Sequence, residues 1–177
     1  MASAVVPESA GKPGVLARQR VVALPLLPQQ TMSNHTHAAP AAASFQTTRA
    51  DAHPFCLVCS RSNPLGLGLE FTLQPDGSVV AEFISHAALE GYSGLLHGGV
   101  IAAMLDGAMT NCLFAHGWQA VTGELTVRYR HPVEVGAVLI VRAWILESYR
   151  PLHLVEAELQ QDGCIQATAS AKFMERS

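Results

Sequence analysis

Residues 96–118 read LHGGVIAAMLDGAMTNCLFAHGW, and this stretch decides the fold. It opens on His97 and the pair Gly98-Gly99, runs through a long apolar segment and closes at Gly117. Most of the intervening residues are good helix formers, and a terminal glycine supplies the C-cap, so the pattern predicts a helix starting near Gly99 and stopping at Gly117. That helix carries almost no polar stripe, and a helix apolar all round must be buried. One carboxylate, Asp106, sits within it. An unpaired charge in such surroundings is costly, so the residue requires a reason. Two remain open: a structural acceptor or a group facing a solvated groove, and a base or nucleophile.

The start of the helix bears on the second. Gly98 and Gly99 leave backbone N–H groups uncovered at the positive end of the helix dipole, which suits a developing oxyanion. An oxyanion site and a carboxylate are the two halves of an acyl-transfer centre. Within one copy they lie too far apart, since the helix rise puts about 12 Å between Gly98 and Asp106. Two copies of the helix, antiparallel across a two-fold axis, bring each Asp106 to the other chain's glycine turn. A homodimer is therefore expected.

Working outward, the 177-residue chain is one domain's worth with ample apolar content, and its net charge of −3 gives no footprint for nucleic acid. Apolar stretches are broken by glycine, proline or charge before about 18 residues, so no membrane span is expected. The cysteines are Cys56, Cys59, Cys112 and Cys164. Cys56 and Cys59 form a C-x-x-C preceded by His53, but no second pair follows at zinc-ribbon spacing, so no metal is expected. Nor does the motif open a helix in a βαβ unit, as a redox pair would. Reduced thiols and a cytoplasmic location are the expectation.

Residues 1–50 are rich in Ala, Pro, Ser, Thr and Gln without sustained periodicity and read as a disordered leader, the domain occupying 51–177. Arg18 to Leu27 imitates a signal sequence, interrupted by Pro25, and Met32 is an alternative start. An irregular Gly- and Pro-punctuated entry follows from His53. Gly68 to Gln74 alternates as a half-buried strand, Asp76-Gly77 makes a hairpin turn, and Ser78 to Ile84 returns. After the helix, Ala120 to Arg130 reads as a strand. Its parity sends Leu125, Val127 and Tyr129 one way and Thr122, Glu124, Thr126, Arg128 and Arg130 the other. Strands over Ala137 to Ser148, Leu152 to Gln160 and Cys164 to Met174 complete the chain, the last two joined by a turn at Asp162-Gly163. The expected fold class is α+β: an antiparallel sheet wrapped around one long central helix.

His97-Gly98-Gly99 with Asp106 nine residues after the histidine, the strand VTGELTVRYRHPV (121–133) and the entry CLVCSRSNPLGLGLEF (56–71) together resemble the hotdog-fold thioesterases, specifically the PaaI-like acyl-CoA thioesterases. The resemblance covers about Pro54 to Met174. It implies that Asp106 activates water or attacks a thioester carbonyl, that the Gly98 N–H polarises that carbonyl, that His97 holds the turn and the substrate, and that Thr122 orients the water. It implies a homodimer, often paired again into a tetramer, acting on acyl-CoA without a cofactor. Leu96, Gly99 and Glu90 are assigned to substrate contact. Some members carry Asn six residues before the His; Gly91 stands there, which leaves Glu90 as a substitute. Arg128, Arg130 and Arg150 offer forks for coenzyme A phosphates, or simply line a solvated strand face. His97 alone reads equally as a loop cap.

The expected function is thus hydrolysis of an acyl-CoA or related thioester, and the alternative a non-catalytic acyl-CoA-binding module of the same fold. A hydratase is disfavoured, because the position five residues after Asp106 holds Asn111 rather than His.

Overall fold

A computed structural model describes residues 42–176. The elements, in chain order, are helix α1 (Ala42–Ala52), strands β1 (Thr72–Leu73) and β2 (Val79–Ile84), helix α2 (Gly98–Ala115), and strands β3 (Ala120–Tyr129), β4 (Val138–Tyr149), β5 (Leu152–Gln161) and β6 (Cys164–Glu175). The strands form one sheet in the order β1-β2-β4-β5-β6-β3, every neighbouring pair antiparallel. α2 packs against β2, β3, β4, β5 and β6. Five strands laid flat span about 19 Å, more than a helix about 10 Å across covers, so the sheet must curl round the helix. This is the expected α+β arrangement.

Sequence explains why the helix fits. Along the middle of the sheet the positions facing it are small: Ala143, Ala157, Ala169 and Ala171 are all buried. They leave a trough into which Met104, Leu105, Met109 and Leu113 of α2 insert, while Phe71, Leu139, Leu159 and Phe173 fill its margins. Its C-terminus closes in a Schellman motif, with Gly117 N–H donating to Phe114 O, Trp118 N–H to Leu113 O, and Gly117 at φ +79°. The turn between β5 and β6 puts Asp162 at φ 52° and Gly163 at φ 77°, the left-handed pair a two-residue hairpin requires.

Three expectations change. α1 lies within the stretch read as a leader, because Phe45, 1% exposed, anchors it in the core and it packs on α2; residues 1–41 lie outside the described residues. The expected strand over Gly68–Gln74 shrinks to Thr72–Leu73. Its alternation survives, with Leu69 and Phe71 buried, but the Leu67 and Leu69 N–H groups donate to Leu57 O and Val58 O of the entry loop rather than to β2. Finally, α2 spans 18 residues at a hydropathy of 1.3, long and apolar enough by length and composition to cross a membrane. Most of it is nonetheless enclosed by the sheet, so its apolarity is that of a core helix.

Candidate active site

The turn that opens α2 is built by its own side chain. His97 occupies the N-cap in extended backbone, and its Nδ1 accepts the Gly99 N–H at 2.8 Å. Gly99 is dictated by this arrangement, since a Cβ there would stand 2.9 Å from that nitrogen. The histidine therefore acts as a cap, and with Nδ1 accepting, a neutral ring carries its proton on Nε2. Gly98 is the first helical residue, and its N–H has no intrahelical acceptor by the geometry of any helix start. The one cap already serves Gly99. Tyr129, on β3, donates its hydroxyl to Gly98 O at 2.8 Å and pins the turn from the other side.

Asp106 lies two turns further along. It is half-buried rather than sealed in the core, and with Gly99, Ala102 and Ala103 it forms the one stripe of α2 that the sheet leaves uncovered. Thr122 Oγ1 donates to Asp106 Oδ1 at 2.7 Å, fixing the carboxylate's orientation and leaving Oδ2 outside that bond. Strict alternation would have sent Thr122 to the opposite face from Tyr129. A β-bulge at Gly123 overturns that reading: the register passes from Thr122↔Phe173 to Glu124↔Lys172, so Thr122, Leu125, Val127 and Tyr129 all face the helix. The bulge is what brings hydroxyl and carboxylate together.

Other predicted site residues fall elsewhere. Leu96 is buried in the core, its N–H donating to Val133 O. Glu90 is exposed and its Oε1 accepts the Gly94 N–H, closing the loop before His97. A Cβ on Gly91 would meet His97 Cα and Cδ2 at 3.2 Å, so this position packs on the histidine instead of presenting a polar side chain. Arg128 and Arg130 point from the outer face of the sheet, lining a depression of about 400 Å³ with Trp144, Glu156, Thr168 and Ser170. That face is turned away from Asp106. Arg150 is held in a bidentate pair with Glu175, at 2.6 and 2.7 Å.

Sequence reasoning missed Tyr129 as a site residue. Its parity toward the helix was readable, but its partner is a backbone carbonyl, and no sequence pattern marks that.

A curled antiparallel sheet holding one long helix, with a glycine turn at the helix start and a carboxylate on its open stripe, defines a hotdog domain. Residues 93–167 match the family model described as Thioesterase superfamily. Acyl-coenzyme A thioesterase THEM4 of Bos taurus is 31% identical over 81 residues, which are 44% of this chain and 33% of that protein. Across the curated relatives the chain spans about a third to a half of their length. Among solved structures, the phenylacetic acid degradation-related protein of Ralstonia eutropha is 29% identical at a TM-score of 0.56, covering 61% of this chain and 85% of its own. A Streptococcus mutans protein bound to acetyl-CoA shares the fold at 18% identity and TM-score 0.58, covering 62% and 89%.

Proposed function

We propose that this domain hydrolyses acyl-CoA, or a closely related acyl thioester, to the free acid and thiol. The observation that carries the reading is Asp106: the only charged side chain on an otherwise apolar helix, placed on its open stripe and oriented by Thr122. Binding alone gives no reason to hold a carboxylate there. Relatives named as acyl-coenzyme A thioesterases, and a neighbour bound to acetyl-CoA, support the substrate class.

In this mechanism the thioester carbonyl oxygen accepts the Gly98 N–H, which stabilises the oxyanion as the carbon becomes tetrahedral. Asp106 of a second copy, steadied by its own Thr122, takes a proton from the attacking water or attacks the carbon itself. The C–S bond then breaks and the thiolate leaves. β3 forms an edge of the sheet, ten residues long with one side unpaired among the described residues, and Leu125 and Tyr129 are exposed on its inner face. A long edge of this kind is a template for pairing, and this supports a homodimer through which the two half-sites meet. The four cysteines are all free thiols, which fits the cytoplasm.

The test is Asp106→Asn, followed by thiol release from aryl- and fatty-acyl-CoA substrates. Turnover is expected to fall by about 10³-fold or more while the dimer persists by light scattering. A wild-type chain that binds acyl-CoA but turns over none of a broad panel would instead support the binding module.

A further inference from the structure

The entry loop contains a constellation that hydrolysis does not use. One ring nitrogen of His53 and the Sγ atoms of Cys56 and Cys59 all lie within 4.8 Å of one another. We propose that His53, Cys56 and Cys59 bind a zinc ion, which fastens the entry loop onto the flank of α2.

Three observations carry this. The ligands converge because the backbone between them is wound into consecutive turns, with Cys56 N–H donating to His53 O and Ser60 N–H to Cys56 O. Ser60 Oγ to Pro54 O at 2.7 Å and Asn63 Nδ2 to Phe55 O at 3.1 Å tie the turns down. Secondly, the Val58 N–H points at Cys56 Sγ from 3.3 Å, a donor that favours the thiolate, the form a metal takes. Thirdly, Nδ1 of His53 is buried without a hydrogen-bond partner among the described residues, and a metal would satisfy it.

The donor set selects the ion. Two thiolates and an imidazole suit zinc, with Zn–S near 2.3 Å and Zn–N near 2.0 Å; a tetrahedron of those lengths separates its ligands by about 3.5–3.8 Å. Closing from 4.8 Å asks each side chain to shift by roughly half an ångström about its own torsions. Binding takes up Zn²⁺, releases whatever protons the two thiols still carry, and leaves a fourth position for water. The C-x-x-C without a second pair argued against a metal in the sequence. The fold supplies the missing ligand locally, from the turn after α1.

What the ion would secure is the position of α2. Val58, between the two cysteines, seats directly on Gly107: a Cβ at that glycine would be 2.5 Å from Val58 Cγ1. Gly107 adjoins Asp106, so the loop braces the helix immediately behind the carboxylate.

The test begins with the full chain, purified without chelator, dialysed against zinc chloride and passed through gel filtration before metal analysis. About one zinc per chain is expected in the wild type and in Cys164→Ser, whose exposed thiol lies elsewhere, and a loss of tenfold or more in Cys56→Ser and in Cys59→Ser. Cobalt(II) in place of zinc is expected to show thiolate-to-metal charge transfer in the wild type, a readout that does not depend on the variants folding. Chelation is expected to lower the thermal midpoint of the wild type and leave that of Cys56→Ser unchanged. Folded wild-type chain that retains no zinc and gives no cobalt–thiolate band would overturn the proposal. So would a Cys56–Cys59 disulfide seen by intact mass in chain kept under reducing conditions.

Discussion

Gly98 offers a way to remove one hydrogen-bond donor and almost nothing else. It is the first helical residue, where proline is tolerated because the N–H has no helical acceptor to lose. His97 before it has φ −64° and ψ 132°, the extended conformation that a residue preceding proline prefers. A Cβ at Gly98 meets the Tyr129 ring at 3.6 Å, an ordinary contact. Gly98→Pro is therefore expected to leave the thermal midpoint nearly unchanged while kcat/KM on an acyl-CoA falls by about 10²–10³-fold. Wild-type rates in a folded variant would remove the amide from the mechanism. The glycine turn and Asp106 were readable in the sequence because each breaks a local rule: two glycines at a helix start, and a charge on an apolar helix. Thr122 was found by resemblance but placed on the wrong face, since a bulge at Gly123 leaves no mark beyond the glycine itself.

Among the elements, β6 ties the sheet together at the end opposite β2. Near its C-terminus Glu175 accepts from Arg150 in a bidentate pair and lies 3.0 Å from Nε2 of the fully buried His153, whose Nδ1 meets Ser148 Oγ at 2.8 Å and whose ring stacks on Trp118 at 4.4 Å. The hydrogen bonds from Arg150, chiefly, and then from His153 hold the Glu175 carboxyl below the usual glutamate range. A carboxylate whose pKa is lower folded than unfolded contributes stability that is complete above the unfolded value, about 4.3, and lost as pH falls through the folded value. Glu175→Gln is expected to flatten the acid limb of a plot of thermal midpoint against pH below about 4.3 and to change the neutral region less. An identical acid limb in both proteins would show that the pair contributes nothing measurable. Long elements with clean alternation, β4, β5 and β6, were legible to within a residue or two. α1 was not, because its eleven residues hold one large apolar side chain, Phe45, and composition alone cannot report that a single phenylalanine finds a core.

At the scale of the whole molecule, the proposed homodimer with two shared half-sites makes a prediction that a self-sufficient chain does not share. Gly98→Pro homodimers lack the amide and Asp106→Asn homodimers lack the carboxylate, so each alone is expected to be inactive. In a mixed dimer, one site inherits both lesions and the other neither. Unfolding and refolding the two variants together in equal amounts is expected to restore roughly a quarter of wild-type turnover, from half the dimers carrying one good site each. No recovery, with mixed dimers demonstrated by tagged pull-down, would place both groups in one chain's site. The separation of Gly98 from Asp106 was legible from the helix rise alone; that β3 ends the sheet became visible only with the strand order.

The strand order also governs when the site can exist during synthesis. β3 carries Thr122 and Tyr129, yet its only strand partner among the described residues is β6, some forty residues downstream. A ribosome that has finished α2 and β3 has made every group the proposed chemistry uses and still holds an unclosed sheet. Premature termination before residue 164 therefore spares Gly98, Asp106, Thr122 and Tyr129 in sequence and removes the strand that holds β3 in place.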